Sequence, residues 1–334
     1  MIESITPTLS EVTMTFISSH RGHKGEAASI EIPRRTLGID LGDRKSDFCL
    51  LDEAGQVIDR ARVQTTADAI RRALEPVGPC RVVMEVGTHS PWISRLVQRL
   101  GHEVVVANPR KVQLISKGMR KNDRKDAELL ARLGRADTEL LSPIQHRGEE
   151  AQLLLLAVRQ RDGLVRRRTS LITEVRGLVK SLGFRVRSCS SAVFPRRSRE
   201  DLPSDMAKGL KPTLSSIQEL TEHIRELDRV IENPPKPIRA VTEHLRQISG
   251  VGPVLALTFV LSIDDPGRFQ DSRDLGPFLG LVPRQDQSGG TDKQLSISKA
   301  GNPYLRSLLV NAAHYIISRG PKTRLQAFGI RLEA

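Results

Sequence analysis

The chain has 334 residues, room for two or three domains with sizeable cores, and its 52 Lys and Arg against 39 Asp and Glu leave a net charge of +13. That excess points to a polyanion partner, most simply nucleic acid, while one Trp, two Tyr and eight Phe are too few for a dedicated base-stacking platform. No apolar run reaches membrane-spanning length, and Cys49, Cys80 and Cys189 lack metal-ligand spacing and read as thiols of a reducing compartment, so a soluble cytoplasmic protein is expected.

Residues 1–33 are polar and aperiodic and read as a disordered leader, with Met14 as an alternative initiator. From Arg35 the pattern turns to short strands at Thr36–Leu41, Phe48–Leu51 and Val57–Val63. A helix over Ala67–Leu74, a strand at Val82–Val86, a helix over Pro91–Leu100 and a strand at Glu103–Ala107 follow. A meander followed by alternating strands and helices predicts a mixed α/β domain over 34–146 with the strand order of the ribonuclease-H-like fold. No Gly-x-Gly-x-x-Gly turn follows the first strand, which removes a dinucleotide site.

Four carboxylates stand out in this region. Asp40 closes Leu37-Gly38-Ile39-Asp40 and Glu85 closes Val82-Val83-Met84-Glu85, so two buried strands would each deliver an acid to the end of a sheet. Asp123 and Asp126 begin a helical segment three residues apart and share one face. Singly, each has an ordinary reading, as a turn residue or, for Asp123, a helix N-cap. Together they form an oxygen-rich site whose like charges call for hard cations, and two Mg2+ ions suit carboxylate and phosphate oxygens. Lys117, Arg120, Lys121, Arg124 and Lys125 bracket the Asp123/Asp126 pair and suit a phosphate backbone drawn to an acidic site; a solvated charged surface is the alternative.

After Pro143 the sequence is helical. Leu153, Leu156, Ala157, Leu164, Leu171, Val175, Leu178 and Leu182 form an apolar stripe opposite an Arg-rich side that includes Arg166, Arg167 and Arg168. Between Arg159 and Lys211 fourteen Lys and Arg face five Asp and Glu. Pro, Ser and Arg break the pattern from Phe184 to Pro212, and it resumes at Leu214, Ile217, Leu220, Ile224, Leu227 and Ile231 until Pro234. Two amphipathic helices joined by a basic loop over 147–237 predict an antiparallel coiled-coil hairpin, for dimerisation or for packing within one subunit. The remaining segment, 238–334, opens on Gly250-Val251-Gly252, a turn that suits phosphate contact in a helix-hairpin-helix but is as common in plain turns. Arg284 and Ser288 lie in a Gly-rich segment; no His or Asp marks Ser288 as a nucleophile, and its chemistry alone reads as a turn residue.

The ordered set Gly-Ile-Asp, Met-Glu-Val-Gly, Asn-Asp-Arg-Lys-Asp-Ala, Ser-Gly-Val-Gly-Pro, Gly-Leu-Val-Pro-Arg-Gln-Asp-Gln-Ser-Gly-Gly and Ile-Ser-Lys-Ala-Gly-Asn-Pro-Tyr-Leu-Arg resembles the DEDD transposases of the IS110 family of bacterial insertion sequences, from about Arg35 to about Gly329. The resemblance implies a RuvC-like N-terminal domain, a coiled-coil connector and a mainly α C-terminal transposase domain. It carries metal ligation onto Asp40, Glu85, Asp123 and Asp126, and raises Ser288, in a Pro-x-x-x-x-Ser-Gly segment, to the expected nucleophile of a covalent protein–DNA link. It further implies donor and target DNA, a guide RNA encoded beside the gene, and a homodimer or tetramer. It also implies a further basic helix after Ser318-Arg319-Gly320, so that a chain stopping at Ala334 is expected to be a truncated copy. Two alternatives stay open: a RuvC-like metal-dependent nuclease without a covalent adduct, and an inactive nucleic-acid-binding remnant. A sugar kinase would share Gly-Ile-Asp-Leu-Gly, but no second phosphate loop follows.

Overall fold

The computed structural model describes residues 35–109, 111–112, 123–288 and 291–333, without the side chains of 123–124, 285–288, 291–294 and 333. The chain divides into two compact units at Arg147/Gly148.

In the first unit β1 (Thr36–Asp40), β2 (Lys45–Leu51) and β3 (Val57–Gln64) form an antiparallel meander. β4 (Arg81–Glu85) and β5 (Glu103–Ala107) run parallel to β1, giving the order β3-β2-β1-β4-β5 expected of a ribonuclease-H-like sheet. The central strands β1 and β4 read as near-continuous apolar runs because helices cover both faces, whereas the edge strand β3 is largely exposed. Leu37, Ile39, Val82 and Met84 pack with Ile70 and Leu74 of α1 (Ala67–Leu74) and Ile93 and Val97 of α2 (Ser90–Arg99). The alternate residues Val83, Cys49 and Leu51 pack with Ala127, Leu130 and Ala131 of α3 (Asp123–Ala136). β2 starts earlier than its apolar run, because Lys45, Ser46 and Asp47 pair with Gln64, Val63 and Arg62 of the edge strand.

In the second unit α4 (Glu149–Ser181) packs antiparallel on α7 (Lys211–Glu232). Val175 and Val179 meet Leu214 and Ile217 at one end, and Ala151 and Val158 meet Ile231 at the other. The predicted stripe is right in part on α4: Val175 is buried and Leu171 packs beside it, but Leu153, Leu156, Leu178 and Leu182 are exposed, and Ala151, Val158 and Val179 are buried in their place. On a 33-residue helix with an apolar patch on more than one side, periodicity alone does not select the buried face. The expected loop between the two helices is also corrected. It holds α5 (Phe194–Asp201) and α6 (Ser204–Gly209), each with a proline at its start, and Phe194 and Leu202 are buried against the hairpin. Proline fits the first turn of a helix, where its missing N–H has no partner to lose.

α8 (Lys236–Leu245) and α9 (Pro253–Ile263) follow, and Leu257 and Leu261 of α9 share one apolar cluster with Ala151, Val158 and Ile231. After α10 (Leu275–Leu279) comes a hairpin of β6 (Pro283–Ser288) and β7 (Thr291–Ile297), then α11 (Pro303–Arg319) and α12 (Arg324–Glu333). Asn302 caps α11 by accepting hydrogen bonds from the amides of Tyr304 and Leu305 at 3.0 and 3.3 Å.

Candidate active site

Asp40 and Glu85 end neighbouring parallel strands. The register pairs Ile39 with Met84, so the two acids stand side by side one position further on. Side chains alternate along a strand, and Leu37, Ile39, Val82 and Met84 face α1 and α2. Asp40 and Glu85 therefore belong to the face that α3 covers, and both are half-buried.

α3 lies unusually close to β1. A Cβ on Gly38 would sit 1.9 Å from the Ala127 carbonyl oxygen and 2.6 Å from the Ala131 nitrogen, so only glycine lets the helix backbone rest on the strand. The helix runs against β1 and β4. Its far end is held near the strand start, where an Arg81 Nη donates to the Gly134 carbonyl at 2.9 Å. Its first turn thus lies toward the strand ends that carry Asp40 and Glu85. Leu130 packs on Val83; stepping from Val83 to Glu85 advances about 6.6 Å, and from Leu130 back to Asp126 about 6 Å, which brings the half-buried Asp126 to the level of Glu85. Asp123, first residue of α3, shares a helix face with Asp126 and Ala127, and its side chain lies outside the described atoms.

Among the described residues no three His, Cys, Asp or Glu side chains form a group ready to hold a metal ion. The donor set is nonetheless of the right kind: oxygens only, from three or four carboxylates at one end of one sheet, under a helix fixed by Gly38. Carboxylates at such an end repel one another, and a hard cation between them would relieve that repulsion.

Two neighbours of this site were not legible as site residues in the sequence. Asp47 lies directly opposite Asp40 in the β1–β2 ladder and is buried, and Arg62 of β3 forks onto both its oxygens, with Nε at 3.2 and 3.0 Å and Nη2 at 2.7 Å. The sequence carried no direct signal for Asp47: its place follows from the β1–β2 register, which runs from Thr36 opposite Leu51 to Asp40 opposite Asp47 and so centres the hairpin on residues 43–44. Glu128, two residues past Asp126, bridges Arg60 of β3 and Arg132 of α3, whose Nε lies 2.8 Å away. The Arg60 and Arg132 hydrogen bonds hold its carboxyl below the usual range.

The second unit carries the other expected residues. Ser288 ends β6 opposite Thr291, so its backbone is strand at the tip of a hairpin and not the irregular loop that its glycines suggested. Arg284 is exposed on the same strand. Gly250 has φ +90° and a Cβ there would meet Ile316 at 2.9 Å, so the approach of α11 accounts for this glycine; Gly252 faces open space. Arg166 and Arg167 are exposed, whereas half-buried Arg168 donates through Nη1 to Thr221 Oγ1 at 3.2 Å. Lys125 is exposed on α3, Lys117, Arg120 and Lys121 lie outside the described residues, and so does the Arg124 side chain.

Comparison with known proteins decides the family. A family model described as a transposase, of the DEDD IS110 type, matches residues 37–183 and thus spans all four carboxylates. A second, for transposases of the IS116/IS110/IS902 family, matches 242–327 and spans Ser288. The transposase for insertion sequence element IS1111A of Coxiella burnetii is 32% identical over 293 residues, covering 85% of this chain and 78% of the relative. The chain belongs to the IS110 family of transposases. This IS110-family chain is also similar to a probable family 20 transposase of Pseudomonas aeruginosa, 29% identical over 84% of this chain and 83% of the relative. A pilin gene-inverting protein of Moraxella bovis is 27% identical over 75% of this chain and 71% of its own length. Membership makes the chain an enzyme of DNA recombination, and the DEDD-type domain points to dependence on a divalent metal. No helix among the described residues is long and apolar enough to cross a membrane.

Proposed function

We propose that this transposase cuts and rejoins DNA by phosphoryl transfer, with Asp40, Glu85, Asp123 and Asp126 holding two Mg2+ ions and Ser288 serving as nucleophile. The observation that carries the reading is the adjacency of Asp40 and Glu85 on parallel strands beneath the first turn of α3. Bound Mg2+ supplies charge neutralisation for the phosphoryl oxygens. Glu128 ties α3 to the β3 edge through Arg60, and Gly38 admits the helix at contact distance, so the carboxylates are presented from a rigid frame. Ser288 Oγ bonds to phosphorus as the bridging P–O bond of the strand breaks, and the serine proton passes in net terms to the released DNA hydroxyl. Attack by the hydroxyl of a second strand reverses the step and frees Ser288.

Donor and target DNA are the substrates, and a guide RNA encoded beside the gene selects them; the net charge of +13 and exposed Lys125, Arg166, Arg167 and Arg284 suit such polyanions. The pilin gene-inverting relative supports site-specific rearrangement as the outcome. The α4–α7 hairpin acts as a coiled-coil connector, and Leu153 and Leu156, exposed on it, favour a homodimer or tetramer.

The test is a denaturing gel of protein incubated with labelled element-end DNA, RNA from the flanking region and Mg2+. An adduct is expected for the natural chain, none for Ser288→Ala, and none for Asp40→Asn although DNA is still bound. Cleavage that persists in Ser288→Ala without an adduct replaces this mechanism with that of a carboxylate nuclease.

A further inference from the structure

The charged row at the end of the sheet does not stop at Asp40. Across β3, β2, β1 and β4 it reads Arg62, Asp47, Asp40, Glu85, each member beside the next in the ladder and all on the face covered by α3. Directly opposed residues of an antiparallel pair bring their side chains within about 5 Å, and like charges so placed repel. Asp47 is more deeply buried than the acids it adjoins, with 4% of its surface exposed, and Arg62 forks onto both its oxygens. Arg62 itself stands on the edge strand with about half of its side chain in solvent (48%).

We infer that Asp47 and Arg62 form a counter-charge pair that sets the strength of the metal site: Arg62 occupies the Asp47 carboxylate, keeping it out of the ligand set, and the two opposite charges offset one another beside Asp40. Both are positioning residues. The inference rests on the reading of Asp40, Glu85, Asp123 and Asp126 as metal ligands, and it gives the two members opposite signs. Arg62→Gln leaves a bare carboxylate opposite Asp40 and adds attraction for a cation. Asp47→Asn removes one negative charge from the row and so weakens its attraction for a cation. A unit charge some 7 Å from a divalent ion in a largely aqueous surrounding alters its affinity by about tenfold.

The experiment is Mn2+ binding to the full-length protein without nucleic acid, followed by loss of the free-ion resonance. Natural chain, Arg62→Gln, Asp47→Asn, the double variant and Asp40→Asn are compared, each with its melting temperature in chelator. The expected result is about tenfold tighter binding for Arg62→Gln, about tenfold weaker for Asp47→Asn, and near-natural binding for the double variant, in which the row's charge is again balanced. A purely structural role for the pair would lower the melting temperature of both single variants and weaken binding in both, and that common sign overturns the inference. Should either single variant not fold, the folded double variant together with Arg62→Lys, which keeps the charge but loses the fork, decides: near-natural affinity in both is expected, and a tenfold loss in both is the overturning result. Asp40→Asn separates the two levels. If it leaves Mn2+ affinity unchanged, the carboxylate site itself is refuted, whereas its loss alongside indifferent Asp47 and Arg62 variants refutes only the counter-charge.

Discussion

Replacing Gly38 by alanine adds one methyl group and tests how the carboxylates are brought together. The new Cβ would lie 1.9 Å from the Ala127 carbonyl oxygen and 2.6 Å from the Ala131 nitrogen, both backbone atoms that no rotamer change can remove. Restoring an ordinary carbon–oxygen contact of about 3.3 Å needs a shift of α3 by roughly 1.4 Å. That shift lifts Asp126, and with it the first turn of the helix, away from Asp40 and Glu85, while Ala127 and Ala131 lose their packing on Cys49 and Leu51. Overpacking of this kind costs about 1–3 kcal/mol, and a catalytic group misplaced by about 1 Å loses roughly a hundredfold in rate. Strand cleavage and thermal unfolding are measured side by side, with Gly87→Ala as the control, since a Cβ at Gly87 meets nothing within 4 Å although it lies two residues past Glu85. Gly38→Ala is expected to retain DNA binding, melt lower and cleave at about one hundredth of the natural rate, with Gly87→Ala close to natural. Natural melting and natural cleavage in Gly38→Ala would refute the claim that contact between α3 and β1 assembles the site.

Glu128→Gln removes a carboxyl held below its usual range by Arg60 and then Arg132, a shift that stabilises the fold above the unfolded-state value near 4.3 and is lost as pH falls through the lower folded value. With Arg60 and Arg132 42% and 51% exposed, solvent screening limits the effect to about 0.5–1 kcal/mol, so the variant should melt lower at pH 7 by a margin that shrinks as the pH falls into the acid range; a gap that does not shrink contradicts the ion-pair origin. Ile217→Ala empties a fully buried position between Val175, Phe194 and Leu214 and should cost about 2–5 kcal/mol by denaturant unfolding, whereas Leu153→Ala on the exposed side of the same hairpin should leave monomer stability nearly unchanged. Burial pushes the Cys80 thiol up to about 11 and raises that of Cys49, so at pH 8 a maleimide should label half-exposed Cys189 first, and mass spectrometry finding Cys80 modified in the folded protein would contradict its burial.

The central strands of the first unit were legible because a sheet buried on both faces writes itself as apolar runs, and the ends of two such runs put Asp40 and Glu85 on neighbouring strands. The start of β2 was not, since Lys45, Ser46 and Asp47 carry no strand propensity and owe their conformation to pairing with β3. Asp47 shows the same limit at the site: its meaning lies in a cross-strand register, which one chain segment read alone does not contain. On α4 the sequence holds more leucines than the partner helix can cover, and the choice of Val158 and Val175 over Leu156 and Leu178 is made by where α7 and α9 lie.

Ser288 illustrates a different gap between residue and role. Its backbone is the last residue of a hairpin strand, and neither that position nor the glycines that follow it is by itself a means of activating a hydroxyl. A serine without a base can act as nucleophile only if the stabilisation is delivered to the phosphorus and its oxygens, which is what an acidic, metal-holding site does. On the proposed mechanism the four carboxylates and the serine are halves of one requirement, carried by separate compact units. Removing either half should abolish the covalent adduct as fully as removing both, and a double variant of Asp40→Asn with Ser288→Ala that is no worse than each single one is the kinetic signature expected of groups acting as a unit.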